Sequence, residues 1–128
     1  MHYDFSAFHP GRVLGTHREH LSRSTIDRWC GLFPEDKAGA AMPAGMVAAV
    51  TMRAYSEILA DRPPGNVHAS QRFSIHALPS AGADLVTELR CTSKEIRKER
   101  RWIEIASATH DGKGTLLFTG IMRTIWAG

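Results

Sequence analysis

Ala40-Ala41-Met42-Pro43-Ala44-Gly45-Met46-Val47-Ala48-Ala49-Val50-Thr51-Met52-Arg53-Ala54-Tyr55-Ser56-Glu57-Ile58-Leu59 is the stretch whose reading decides the fold. From Gly45 to Ala54 only Thr51 and Arg53 are polar, so a helix here is apolar on nearly every side. Such a helix has to be wrapped rather than laid on a surface. It is too short, and too interrupted by Pro43, to span a bilayer. Pro43 suits a helix's first turn, where a missing N–H costs nothing. Asp61-Arg62-Pro63-Pro64-Gly65 stops the helix.

After that stop the chain reads as four strands. Val67 to His76 is the first. Pro79 to Ala83 turns into Asp84 to Ile96, where Leu85, Thr87, Leu89 and Cys91 alternate with Val86, Glu88, Arg90 and Thr92. The charged hairpin Arg97-Lys98-Glu99-Arg100 leads into Arg101 to His110, and Asp111-Gly112-Lys113-Gly114 is a tight turn into Thr115 to Trp126. A sheet of this extent can do the wrapping, which predicts an α+β domain with one helix inside a curled antiparallel sheet.

Before the helix, Pro10-Gly11 marks a turn and Val13 to Leu21 alternates loosely as a strand. Its His17 and His20 fall on opposite faces and have no further ligand cluster nearby, so solvated or partner-paired histidines are expected rather than a metal site. Ser24-Thr25-Ile26-Asp27 resembles a capping box, and Ile26, Trp29, Cys30 and Phe33 form the inner stripe of a short helix that Pro34 ends. Trp29 reads as a core residue and Cys30 as a buried thiol. Glu35-Asp36-Lys37-Ala38-Gly39 is a polar link into the central helix.

The 128 residues fit a single domain, 1–128, able to bury a core of its own. A net charge of +3 permits an anionic ligand without demanding nucleic acid, and the basic residues lack interleaved aromatics. The two cysteines, Cys30 and Cys91, show no metal or redox spacing, which makes a reduced, cytoplasmic setting the default. No apolar leader precedes Asp4, and neither a membrane segment nor a metal is expected.

Strand, short helix, long apolar helix and a meander of long strands is the order of the hot-dog fold, an antiparallel sheet wrapped around a central buried helix. The chain resembles more closely the MaoC-like (R)-specific enoyl-CoA hydratases and 3-hydroxyacyl thioester dehydratases. Asp4-Phe5 through Gly11-Arg12 looks like that family's opening, and Leu21 to Phe33 like its first helix. Ala41-Met42-Pro43-Ala44-Gly45-Met46 sits where the family leads into its central helix. Val67 to Pro79 followed by Ala81-Gly82-Ala83-Asp84-Leu85 is similar to its strand-and-turn signature. The resemblance implies an acyl thioester substrate carried on CoA or a carrier protein, and no other cofactor. It also implies edge-to-edge pairing into a homodimer or higher homo-oligomer, or pairing with a second hot-dog subunit.

The chain departs from the family where the chemistry is done. Active members carry an aspartate followed closely by a histidine before the central helix. Here Asp36 stands near the aspartate's place, while no histidine occurs between His20 and His68, and Ala44 lacks an imidazole. Asp36 and His68 are the candidate catalytic residues, His68 as a substitute acid or base, against a solvated loop carboxylate and a solvent-facing histidine. Ala44, Gly45 and Met46 would offer backbone amides to a thioester carbonyl, unless Gly45 only permits tight packing. Arg97, Lys98 and Arg100 could meet phosphates of CoA or an acidic carrier, or be a solvated hairpin tip. Three functions follow: a hydratase or dehydratase, catalytic or surviving as a non-catalytic member; a thioesterase with Asp36 as base; and a non-enzymatic acyl-CoA-binding or assembly subunit.

Overall fold

The computed structural model describes residues 3–36 and 39–128. A single 3-10 turn, Phe5–Ala7, precedes β1 (Val13–His20), α1 (Arg23–Leu32), α2 (Met46–Ile58), β2 (Val67–Ile75), β3 (Asp84–Arg97), β4 (Arg100–Asp111) and β5 (Leu116–Ile125). The strands form one sheet in the order β1-β3-β4-β5-β2, with every neighbouring pair antiparallel. The predicted α+β arrangement of one central helix against such a sheet is present. Lys37 and Ala38 of the polar link before the helix lie outside the described residues.

Alternation along β3 and β4 sets the core. Leu85, Thr87, Leu89 and Cys91 face inward opposite Thr109, Ser107 and Ile105, with Ile103 beyond. Two clusters fill the space beneath α2. Met46, Val47 and Val50, in its first turns, pack with Leu85, Leu117, Phe118, Ile26 and Met42. Tyr55 and Leu59, at its end, pack with Leu89, Cys91, Ile103, Ile105, Met122 and Trp126. Each fully buried Leu, Ile or Phe contributes about 1.5–3 kcal/mol, so α2 is held along its whole length by one face. Gly15 of β1 lets the strand approach closely, because a Cβ there would stand 2.8 Å from Cγ2 of Ile58.

Four local expectations change. In this chain the sheet covers one side of α2 and does not enclose it; Ala48, Arg53, Ser56 and Glu57 face outward, with Ala49 and Met52 half-buried beside them. The cap of α1 is Ser22, whose hydroxyl accepts from the Thr25 amide at 3.2 Å. Ser24 lies inside the helix, and Asp27 pairs with Arg23 at 3.0 Å instead of reaching back. Phe33 is the C-cap of α1 and 49% exposed, and Cys30 is only half-buried. Finally, the register of β2 against β5 shifts between His68 and Ser70. A bulge at Ala69 therefore turns His68 onto the helix-facing side opposite Thr124, while Ser70 and Arg72 point to the outer side opposite Arg123 and Ile121. Even spacing in the sequence would set His68, Ser70 and Arg72 on one face of an unbroken strand, and the bulge breaks that parity.

The β3–β4 hairpin closes on Lys98 and Glu99, both in the left-handed region at φ 52° and 65°. That geometry suits a two-residue turn between twisted strands. Arg97 and Arg100 pair across it.

Candidate functional site

The start of α2 is where the polar link meets the core. The approach to the helix is pinned by Met42 donating to Pro79 O at 2.7 Å and Ala81 donating to Ala40 O at 3.2 Å. Gly45 is the N-cap, and no side chain caps the helix. The Met46 and Val47 amides turn back onto the Pro43 and Ala44 carbonyls at 3.0 and 3.1 Å. Those two amides are thus not left bare, as the sequence reading had them. A Cβ on Gly45 would stand 3.0 Å from the Trp29 ring and 3.7 Å from Asp36 Oδ2. Glycine is required here for close packing of the indole.

Trp29 does more than fill the core. Its Nε1 donates to Asp36 Oδ2 at 2.8 Å, holding the carboxylate beside the helix start with its second oxygen outside that bond. The ring also packs against Phe33, centroids 4.5 Å apart. The seven-residue separation of Trp29 and Asp36 gave no sign of this bond, because it crosses the end of α1 and the turn that follows. Asp36, Ala44, Gly45 and Met46 therefore come together at one end of α2.

His68 and the basic residues do not join them within this chain. His68 Nε2 lies 3.2 Å from Gln71 Oε1, and the imidazole lines a cavity of about 290 Å³ with Tyr55, Arg62, Asn66 and Thr124. This is the far end of α2, and thirteen helical residues put the two ends about 20 Å apart. Burial pushes the Tyr55 hydroxyl above the ordinary tyrosine range, with the Arg62 charge and a hydrogen bond to Asn66 opposing the rise. Arg62 lies over the Tyr55 ring, 5.2 Å from its centroid, and donates to Leu59 O at 3.0 Å. Arg97, Lys98 and Arg100 border a separate cavity with Trp102, whose ring has Arg97 at 5.6 Å and Arg123 at 5.1 Å.

A groove of about 530 Å³ between β1 and α2, lined by His17, Glu19, Met52, Arg53 and Ser56, was not anticipated. Its floor is a paired ion bridge, Arg53 Nε to Glu19 Oε1 at 2.9 Å and Nη2 to Oε2 at 2.6 Å. His20, at the end of β1, pairs with Asp84 at 2.9 Å, as a partner-paired histidine was expected to do.

No protein-family model and no curated protein matches the sequence. Solved structures do. The MaoC-like dehydratase of Rhodospirillum rubrum superposes with a TM-score of 0.84 at 17% identity, over 97% of this chain and 96% of that one. A hot-dog-like protein of Thermanaerovibrio acidaminovorans gives 0.70 at 16% identity, over 94% and 84%. The chain has the hot-dog fold. The C-terminally truncated (3R)-hydroxyacyl-ACP dehydratase complex HadBC of Mycobacterium tuberculosis also matches, with a TM-score of 0.69 at 13% identity, over 85% of this chain and 90% of that one. At such identities the likeness is one of fold. No helix among the described residues is long and apolar enough to cross a membrane.

Proposed function

We propose that this protein belongs with the MaoC-like hydratases and dehydratases and handles an acyl thioester of CoA or a carrier protein at the start of α2. The supporting observation is the seat of Asp36. A carboxylate fixed at 2.8 Å by Trp29 sits over the uncapped first turn of the central helix, in the fold on which the similar dehydratases are built. The positive end of the helix dipole lies behind that turn, and a thioester carbonyl gaining enolate character there would be stabilised.

The reaction fitted to this seat is addition of water to an enoyl thioester, or its reverse. A water O–H bond breaks as its oxygen bonds Cβ; the π pair moves to Cα, which takes a proton. Asp36 receives the proton from water and releases it to solvent, and solvent supplies the proton that Cα takes, so water is the only net addition. Water and the thioester are the only reactants required, so no further cofactor is assigned. The unpaired cysteines, Cys30 and Cys91, support a reducing, cytoplasmic setting.

Loss of enoyl absorbance on adding the protein to a short trans-2-enoyl-CoA tests this reading, with Asp36→Asn losing the activity. Release of free CoA thiol instead would point to the thioesterase. Calorimetric binding without turnover, unchanged by Asp36→Ala, would point to a non-catalytic acyl-CoA-binding subunit that works beside a complete hot-dog partner.

A further inference from the structure

A carboxylate beside an uncapped helix start has a second place to go. Aspartate is among the preferred capping side chains, because its oxygens accept from the free amides of a first turn and its charge suits the positive end of the dipole. Asp36 Oδ2 lies 3.7 Å from where a Gly45 side chain would begin, yet no side chain caps α2. Among the described residues, the side chain that hydrogen-bonds to the Asp36 carboxylate is Trp29, through Nε1 at 2.8 Å.

The two partners are anchored unequally. Trp29 stands on the last turn of α1, its carbonyl taken by the Phe33 amide at 2.8 Å. That helix is fixed by the fully buried Ile26 one turn earlier and by the Ser22 cap. The indole ring packs against both Gly45 and Phe33. Asp36 sits half-buried in the turn after Pro34, with its amide reaching back to Phe33 O at 2.9 Å. The rigid group is therefore the indole, and the movable one is the carboxylate. An indole N–H donates a hydrogen bond but neither takes nor gives up a proton in ordinary acid–base chemistry. Its part is to hold the base, not to relay the proton.

We infer that Trp29 is a positioning residue, whose N–H keeps the Asp36 carboxylate off the first turn of α2 and in place for the reacting water. This rests on the thioester reading above. With Oδ2 engaged by the indole, Oδ1 is the oxygen that takes the proton from water and then releases it to solvent. Released from the indole, the carboxylate would swing onto the helix start as a cap, and the base would be lost to the substrate. The ring matters for the core, but the N–H matters for the rate.

Trp29→Phe separates the two, because it keeps an aromatic ring near Gly45 and removes the donor. Its kcat for a short trans-2-enoyl-CoA, per folded molecule, should fall about 10²-fold, as misplacement of a reacting group does. KM should change by less than about twofold. In an Asp36→Asn background the same change should lower the rate no further, since both act through one carboxylate. Wild-type turnover that Trp29→Phe leaves intact per folded molecule overturns the inference alone. A wild-type protein that does not hydrate enoyl thioesters overturns the thioester reading and the inference with it. Should Trp29→Phe fail to fold, proton–nitrogen NMR of the wild-type chain decides. Of its three indole N–H signals, one should move on Asp36→Ala far more than the other two, and three unmoved signals overturn the inference.

Discussion

The two ends of α2 are built on opposite terms. At its end the helix is closed: the Leu59 amide returns to Tyr55 O at 2.9 Å, the Arg62 guanidinium takes the Leu59 carbonyl at 3.0 Å, and Tyr55 is buried against Arg62. At its start no side chain caps the helix, the capping position is a glycine, and the polar side chain beside it is a carboxylate held by a tryptophan rather than by the helix itself. Terminal carbonyls bound by an arginine stabilise a helix, whereas an uncapped first turn leaves that stabilisation out. The closed end anchors the helix to the sheet. The open end is where Asp36 stands over the first turn of α2.

The largest effect should come from the open end. Asp36→Ala is expected to lower the enoyl hydration rate about 10²–10⁴-fold, the usual contribution of a positioned acid or base, while its midpoint in urea moves little. A large stability loss with a small rate loss would make Asp36 a structural partner of Trp29. Gly45→Leu comes next, because a side chain would enter space already taken by the Trp29 ring, at 3.0 Å from the first added carbon. Overpacking of this kind costs about 1–3 kcal/mol, readable by urea unfolding, and unchanged stability would show that the indole moves aside freely.

The closed end should respond less, and in stability alone. Arg62→Ala removes a cation from the last turn of α2 and should cost about 0.3–1 kcal/mol, with the hydration rate per folded molecule unchanged. Tyr55 gives a pH signature. Its hydroxyl titrates higher when folded than when unfolded, so its contribution is whole below the unfolded value and is lost as pH rises through the folded one. Tyr55→Phe should therefore flatten the alkaline arm of the stability profile, and an unchanged arm would place the hydroxyl in water. Smallest of all, Arg97→Ala and Lys98→Ala at the exposed hairpin should change stability by at most about 0.5 kcal/mol, and raise KM for a CoA ester without altering kcat.

Much of this architecture could be read from the residues. The alternation from Leu85 to Cys91, the turn residues Asp111 to Gly114 and the apolar run from Gly45 to Ala54 each carry a period or a punctuation that local physics enforces. Their partners in the sheet agree with that pattern. What stayed hidden depends on the neighbour rather than on the segment. The bulge at Ala69 exists only against β5, and it reverses the side on which His68 stands. The bond from Trp29 to Asp36 crosses a turn that no spacing rule describes. Hydropathy alone suggested a helix enclosed all round, yet Ala48 and Ala49 of α2 are small enough to lie at or beside its uncovered face, while Ala54 is buried. Ala44, Gly45 and Met46 follow Asp36 closely in the chain, whereas the separation of His68, Arg97, Lys98 and Arg100 from them is set by the length of α2 and of β3.

A crystal structure with a slowly reacting enoyl-CoA analogue bound gives the most direct test of the account. The thioester carbonyl should lie at the first turn of α2, with Cβ within water-mediated reach of Asp36. An acyl group seated instead in the groove between β1 and α2, or at the Tyr55 end of the helix, would contradict it.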